Sequence, residues 1–150
     1  MAKRILVAVD GSTEATEALQ FAASEWPDAE LTALHVINPA DSATGAEGGF
    51  PGAADQWYES AKQRGERILT EVSSAVDRSV ETRLEVGRPT GTILGVAGGE
   101  EAVGEDDGSG EPFDHIVLAS QGRTGLSRVL LGSVAEGVVR RAEAPVTVVR

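Results

Sequence analysis

The segment Ile5-Leu-Val-Ala-Val9, closed by Asp10-Gly-Ser-Thr13, decides the fold of this chain. An uninterrupted aliphatic run makes a strand that is apolar on both faces, and such a strand needs cover on both faces. That condition is typical of a central strand in a parallel sheet. Ser12 or Thr13 can cap the helix that follows, whose apolar residues recur at one-face spacing up to Trp26-Pro27. The segment therefore predicts a buried strand, a turn and a helix in succession.

The same alternation continues along the chain. Further strands are predicted at Leu31–Ile37, Val80–Val86, His115–Ala119 and Pro145–Val149, and further helical patterns at Trp57–Val76, Thr92–Ala97 and Leu126–Glu143, the last interrupted near Gly132. In Val80–Val86, uncharged residues alternate strictly with charged ones (Val80, Thr82, Leu84 and Val86 against Glu81, Arg83 and Glu85), which favours an edge position. The sequence therefore predicts an α/β, Rossmann-like fold with a single doubly wound, five-stranded parallel sheet in the order 3-2-1-4-5.

This strand order predicts where a ligand would bind. The direction of winding reverses between the first and fourth strands, and ligands of open α/β sheets bind at that reversal, beyond the carboxyl ends of the strands. Asp10 and the loop that starts at Ser120 follow those two ends. The long connections Asn38–Asp55 and Gly98–Pro112 are expected to be irregular, and the second is acidic, glycine-rich and solvated.

Composition narrows the class of protein. A chain of 150 residues that is 41% hydrophobic is expected to form one domain, residues 1–150. A formal charge of -11 argues against nucleic-acid strands and anionic membranes as partners. The absence of cysteine excludes disulfides, thiol redox chemistry and zinc thiolates. No apolar run approaches the ~20 residues of a membrane span, so a cytoplasmic protein is expected.

The charged residues also suggest a halophilic source. Lys3 and Lys62 are the only lysines in a chain dominated by acidic residues. At molar salt the Debye length falls to about 3 Å, so a strongly acidic surface no longer repels itself. A salt-saturated cytoplasm is therefore expected.

One glycine-containing stretch is the main candidate for binding a ligand. It reads Ala119-Ser-Gln-Gly122-Arg-Thr-Gly125-Leu-Ser-Arg-Val-Leu-Leu-Gly132-Ser133. Small residues after a buried strand let backbone amides approach a phosphate closely, and a helix that begins near Gly132-Ser133 offers a positive dipole end. Arg123 and Arg128 add positive charge. A polyphosphate cradle is one interpretation; solvated arginines and glycines that serve turns are the other. The stretch matches neither the G-x-x-x-x-G-K-[ST] nor the G-x-G-x-x-G loop.

Five segments of the chain together resemble the universal stress protein family, and they extend over nearly its whole length. They are the stretch from Ala119 to Ser133 just described, Val7-Ala-Val-Asp10-Gly-Ser12, His35-Val36-Ile37, Gly87-Arg-Pro89 and Ala144-Pro-Val-Thr-Val-Val149. The resemblance implies an adenine nucleotide alpha hydrolase-like fold and membership of the ATP-binding branch. In that branch the pattern is G-x-x-G, nine residues, then G-[ST]. Here Gly122, Gly132 and Ser133 match it, whereas Ala119 stands at the first glycine position.

The resemblance also implies the roles of the site residues. Asp10 and the backbone of Val36 would contact adenine or ribose, and Gly122, Gly132 and Ser133 would hold phosphates beside Arg123. ATP would be accompanied by Mg²⁺ or Mn²⁺, which offsets the phosphate charge. Ala119 would weaken binding if its position required a positive φ or a very close approach to the ligand.

Simpler roles remain open for several of these residues. Asp10 can serve only as a turn and helix cap, and His35 and His115 can be packed or solvated side chains. The aliphatic strand Val146–Val149 would leave an exposed sheet edge, which pairing with a second copy would remove. A two-fold homodimer through this strand is therefore expected, and the family resemblance implies it as well.

Two functions fit the sequence. The first is a homodimeric, ATP-binding stress-response regulator or sensor; the second is a stress-response protein-interaction module that binds no nucleotide, which Ala119 keeps open. No nucleophile stands beside a base, so no catalytic residue is assigned, and slow ATP hydrolysis is the most that is expected. A receiver domain is disfavoured because it needs clustered acids after the first strand and a lysine ending the fifth.

Overall fold

The computed structural model describes residues 2–44, 52–100, 110–120 and 131–150. They contain a five-stranded sheet, wholly parallel, in the order β3-β2-β1-β4-β5. The strands are β1 Arg4–Ala8, β2 Glu30–Ile37, β3 Glu81–Val86, β4 His115–Ala119 and β5 Val146–Val149. The helices are α1 Thr13–Glu25, α2 Ala53–Ser74, α3 Pro89–Ala97 and α4 Ser133–Arg141, with a 3-10 helix at Pro39–Thr44. The predicted fold class and strand order are confirmed.

Helices cover both faces of this sheet. Successive residues of a strand point to opposite faces, so Ile5 and Val7 pack with α1 and α2 while Leu6 packs with α3 and α4. The central residues of β1 and β4 are fully or almost fully buried. The uninterrupted aliphatic runs in the sequence therefore reflect two separate hydrophobic layers that meet at the same strands.

Two helices begin earlier than the sequence predicts. The third was expected from Thr92, but α3 starts at Pro89, with Arg88 as its N-cap. Proline suits the first helical position because its missing N–H has no partner there and its φ is already helical. The second was expected from Trp57, but α2 starts at Ala53. In the predicted connections, 45–51 and 101–109 lie outside the described residues.

The third strand lies at an edge as predicted, and its two faces differ in how far they are covered. Leu84 packs against α2, whereas Val86 is 47% exposed beyond the covering helix. On the other face, Arg83 Nε lies 2.7 Å from Glu85 Oε1, and this carboxylate side chain is only 13% exposed. Arg83 and Glu85 thus share one face, and their ion pair lets the charge of Glu85 be partly covered.

The turn from α1 to β2 is held by one arginine. Arg78 Nη1 donates to the carbonyl of Trp26 at 3.0 Å and to that of Ala23 at 3.4 Å, and Nη2 donates to the carbonyl of Ala29. Carbonyls at the end of a helix have no intrahelical partner, so a half-buried guanidinium satisfies several at once.

His115 connects β4 to β5 by a side-chain hydrogen bond. It lies at the amino end of β4, where its Nε2 is 2.7 Å from Thr147 Oγ1 of β5. Its ring centroid is 4.8 Å from that of Trp26. Burial, and secondarily the nearby charge of Lys3, lowers the pKa of His115 below its ordinary 6.5. His115 is therefore a packed residue at the end of the sheet opposite to the carboxyl ends of the strands.

Replacing Arg78 with methionine should destabilise the fold. The change keeps the aliphatic stem and removes every guanidinium donor, so the free energy of unfolding should fall by about 2 kcal/mol. Urea denaturation measures the loss. Arg64→Met, at an exposed position of α2, is the matched control and should change stability by less than about 0.5 kcal/mol. Equal losses in the two variants would contradict the role given to Arg78.

His115 should make stability fall with acidity. Its pKa is lower in the folded chain than in the unfolded one, so between the two values the unfolded state binds more protons. Stability due to His115 is therefore present above pH 6.5 and is lost as the pH falls toward the folded pKa. Urea denaturation at pH 5 to 7 should show a steeper decline in the parent than in His115→Gln. Identical slopes would contradict this assignment.

Candidate functional site

A cleft of about 260 Å³ opens at the carboxyl ends of β1 and β4. It lies where the winding of the sheet reverses, as expected for a ligand site in this class of fold. Five of the predicted site residues line it: Asp10, Val36, Ala119, Gly132 and Ser133. Gly122 and Arg123 lie outside the described residues, as does Arg128. Their predicted roles stay predictions.

Asp10 begins the turn from β1 into α1. Its Oδ1 accepts hydrogen bonds from the Ser12 amide at 2.9 Å and from the Ser12 hydroxyl at 2.5 Å. Gly11 has a φ of 87°, which glycine adopts without strain. Ser12 in turn accepts from the Ala15 amide at 3.1 Å, which confirms the predicted cap. Asp10 thus has a turn role, yet its Oδ2 accepts no hydrogen bond from the described residues.

Val36 presents an open backbone edge to the cleft. The Val9 amide donates to the Leu34 carbonyl at 2.8 Å, so Leu34 turns its backbone groups toward β1. Val36, two residues further, faces the same side, but β1 has already ended at Ala8. Neither the N–H nor the C=O of Val36 has a hydrogen-bond partner in the described part of the chain. One donor and one acceptor therefore stand side by side at the cleft.

The amino end of α4 forms another wall. The Gly132 amide donates to the Ser120 carbonyl at 2.7 Å, which holds the start of α4 beside the end of β4. The first intrahelical bond runs from the Glu136 amide to the Gly132 carbonyl at 2.9 Å. The amides of residues 133 to 135 therefore precede the hydrogen-bonded turns, and all three residues line the cleft. Such amides, with the helix dipole, favour an anion.

Ala119 occupies its position without backbone strain. Among the described residues, none other than glycine has a positive φ. Alanine therefore adopts the required backbone conformation as readily as glycine would. Its methyl group packs against the hydrophobic layer under α1 and α2. Alanine at the first glycine position could weaken binding through a required positive φ or through a close approach to the ligand. The first of these does not apply.

The cleft also has an apolar wall that the sequence did not predict as part of a site. Leu34 of β2, Leu118 of β4, and Pro89 and Ile93 of α3 contribute to it. Helical spacing identified Ile93 only as a core residue. Its nearness to β2 follows from α3 packing beside α4 on one face of the sheet, which no local pattern indicates.

The charges of the described wall are few. Asp10 is its one carboxylate, and it contains neither lysine nor arginine. His35 lines the cleft as well, with its Nδ1 2.8 Å from the Val9 carbonyl oxygen. In the described residues, no group of three or more His, Asp or Glu side chains could hold a metal ion. Anion binding in this wall would therefore rest mainly on backbone amides.

The sequence of the chain is similar to that of known proteins over nearly its whole length. The sequence profile of the universal stress protein family matches residues 1–103 and 109–150. Universal stress protein MJ0531 of Methanocaldococcus jannaschii is 32% identical over 157 residues, which cover 99% of this chain and 82% of that protein. No helix in the described ranges is long and apolar enough to cross a membrane.

Solved structures share the fold. Hypothetical protein MJ0577 superposes with a TM-score of 0.68 and 31% sequence identity, over 99% of this chain and 96% of that one. A universal stress protein solved in complex with cAMP superposes with a TM-score of 0.57 and 21% identity, over 99% and 97% of the two chains. The second likeness concerns the fold alone.

Proposed function

The chain belongs to the universal stress protein family, and from that premise we propose that it binds ATP in this cleft and acts as a homodimeric, nucleotide-dependent regulator or sensor of the stress response. One observation supports this most. The N–H and C=O of Val36 and the amides of residues 133 to 135 lie in the same cleft, and none of them has a backbone partner among the described residues. The first suits a base and the second suits phosphate.

The Val36 edge favours adenine over guanine. A neighbouring N–H and C=O on one peptide strand can donate to adenine N1 and accept from its 6-amino group. Guanine presents the opposite order there, a donor at N1 and an acceptor at O6, so two unfavourable contacts would replace two hydrogen bonds. Leu34, Pro89 and Ile93 supply apolar surface for the base.

Asp10 is placed for the ribose. Its Oδ1 is fixed by Ser12, and its Oδ2 can accept a hydrogen bond from a ribose hydroxyl. Gly132 and Ser133 would hold phosphates through amides and the Ser133 hydroxyl, and Ala119 would lie against the ligand. We also assign phosphate contacts to Gly122 and Arg123 from the family pattern. Mg²⁺ or Mn²⁺ would bind to the phosphates, and we assign no residue of the chain to the metal ion.

The proposal assigns no catalytic residue. Asp10 and His35 are the titratable groups of the described wall, and each already has a hydrogen bond that fixes its orientation. Asp10 accepts a hydrogen bond from the Ser12 hydroxyl, but that hydroxyl also accepts from the Ala15 amide as the cap of α1, so we assign it a capping role and not that of a nucleophile with its base. Occupancy by nucleotide, with slow hydrolysis at most, is therefore the proposed signal.

The dimer is proposed to form through β5. The Ile116 amide donates to the Pro145 carbonyl and the Ser120 amide to the Val149 carbonyl, both at 2.9 Å. Residues at this alternation face β4, so Val146 and Val148 turn their backbone groups outward from the edge. A second copy of β5 could pair with these groups and bury the exposed edge.

The surroundings of the protein are inferred from charge. With a net charge of -11, we propose a cytoplasmic protein adapted to high salt, in which counterions screen the repulsion between acidic residues. High salt would also reduce repulsion between ATP and the protein. Binding should therefore be measured in molar KCl.

Gly132→Asp should weaken nucleotide binding strongly. The added carboxylate would stand at the start of α4, where it fills the approach to the amides and repels phosphate. Calorimetric titration with ATP and Mg²⁺ or Mn²⁺ should show affinity reduced by about a hundredfold, equivalent to ~2.8 kcal/mol. Aspartate is a favourable N-cap, so the helix itself should remain stable.

Gly132→Asn is the matched control, since it adds the same bulk without charge. It should lose less affinity than Gly132→Asp, and the difference measures the repulsion of phosphate. If the parent protein gives no heat and no thermal shift with ATP, the proposed function is wrong and an interaction module without nucleotide is favoured.

Val148→Pro should convert the dimer to a monomer. Proline removes the outward N–H at the centre of the exposed edge and leaves the groups that face β4 intact. Light scattering at tens of micromolar should give twice the chain mass for the parent and for Val148→Ala, but a single chain mass for Val148→Pro. A monomeric parent would overturn the proposed dimer.

A further inference from the structure

His35 donates a hydrogen bond to the end of β1. Its Nδ1 lies 2.8 Å from the Val9 carbonyl oxygen. A carbonyl oxygen only accepts, so the hydrogen lies on Nδ1. The imidazole is half-buried on the face of β2 that α2 covers. A side chain of β2 thus engages the backbone of the neighbouring strand.

The Val9 carbonyl is the acceptor that the sheet would use next. Ala8 pairs with Leu34, and the Val9 amide donates to the Leu34 carbonyl. In a parallel ladder of this register, the following bond would run from the Val36 N–H to the Val9 carbonyl. That bond does not form among the described residues, and the carbonyl is bonded to His35 instead.

Helix α2 leaves space for the imidazole at one position. An added Cβ at Gly65 would lie 3.0 Å from His35 Cδ2 and 2.7 Å from Leu84 Cδ1. Both distances are shorter than ordinary carbon contacts, so a side chain there would press on the ring. The buried Gly65 therefore allows the ring to lie beside the end of β1.

We propose that His35 is a positioning residue that keeps the edge at Val36 open for the adenine base. By bonding to the Val9 carbonyl, it orients this oxygen towards the imidazole and away from the Val36 N–H, so the ladder between β1 and β2 stops one bond short. The Val36 N–H, which would otherwise pair within the sheet, faces the cleft together with its C=O. This inference rests on the proposed function for the identity of the base, but its structural part does not require any ligand.

The position of the donor decides the effect of each substitution. His35→Leu removes the donor, so the Val9 carbonyl should take the Val36 N–H. His35→Asn keeps an N–H at the position of Nδ1, whereas His35→Gln carries it one bond further from the backbone. His35→Asn should therefore keep the Val36 N–H out of the ladder. His35→Gln carries the same amide group in a different position and should not.

Amide hydrogen exchange of the unliganded protein tests the structural part. In the parent and in His35→Asn, the Val36 amide should exchange rapidly. In His35→Leu and His35→Gln its exchange should be at least about tenfold slower, because the amide has entered the ladder. The Leu34 amide is the internal reference and should remain protected throughout. A protected Val36 amide in the parent, or equal exchange in all four proteins, would overturn the inference.

Nucleotide titration tests the consequence for the base. His35→Leu and His35→Gln should bind ATP at least about tenfold more weakly than the parent, with a smaller preference for ATP over GTP, whereas His35→Asn should stay close to the parent. Urea denaturation checks that each variant is folded. If His35→Leu does not fold, the asparagine and glutamine pair still decides the result.

The two proposals fail in different ways. If the parent binds no ATP but the exchange pattern is as expected, the proposed function is wrong and the role of His35 in the sheet stands. If the parent binds ATP and all variants bind it equally with unchanged preference for ATP, the role of His35 is wrong and the proposed function stands.

Discussion

The structure depends on one constraint: parallel strands that end at different points leave backbone groups without partners, and such groups need hydrogen bonds. Here β1 ends at Ala8 while β2 continues to Ile37. The chain satisfies some of the groups at this step with its own side chains, through His35 on the Val9 carbonyl and Asp10 on the Ser12 amide. Within the described part of the chain, the backbone groups that have no partner at Val36 and at the start of α4 all face one cleft.

Much of the fold could be predicted because the local pattern of apolar and polar residues indicates which faces of a strand are buried. The aliphatic runs of β1 and β4 need cover on both faces, and the polar alternation of β3 favours an edge, so the strand order follows from these patterns. Ser12 or Thr13 was predicted as the cap from its place before an amphipathic run, and the structure shows that Ser12 is the cap. Each of these predictions required only residues that are neighbours in sequence.

The rest depended on contacts between distant residues. The openness of Val36 is set by where β1 stops and by what occupies the Val9 carbonyl, and neither is visible in a hydrophobic pattern. Pro89 and Ile93 reach the cleft because α3 packs beside α4. Likewise, Glu85 is partly covered because Arg83 neutralises it. The roles of Gly122 and Arg123 come from the family pattern and stay predictions.

The negative φ of Ala119 bears on how chains that carry this motif are recognised. A backbone that any residue can adopt imposes no conformational demand for glycine at the first motif position, so glycine would be required there only where a ligand approaches closely. A filter that insists on glycine there discards chains whose architecture is intact. The end of the second strand, where the backbone groups of Val36 line the cleft, offers a physical criterion instead.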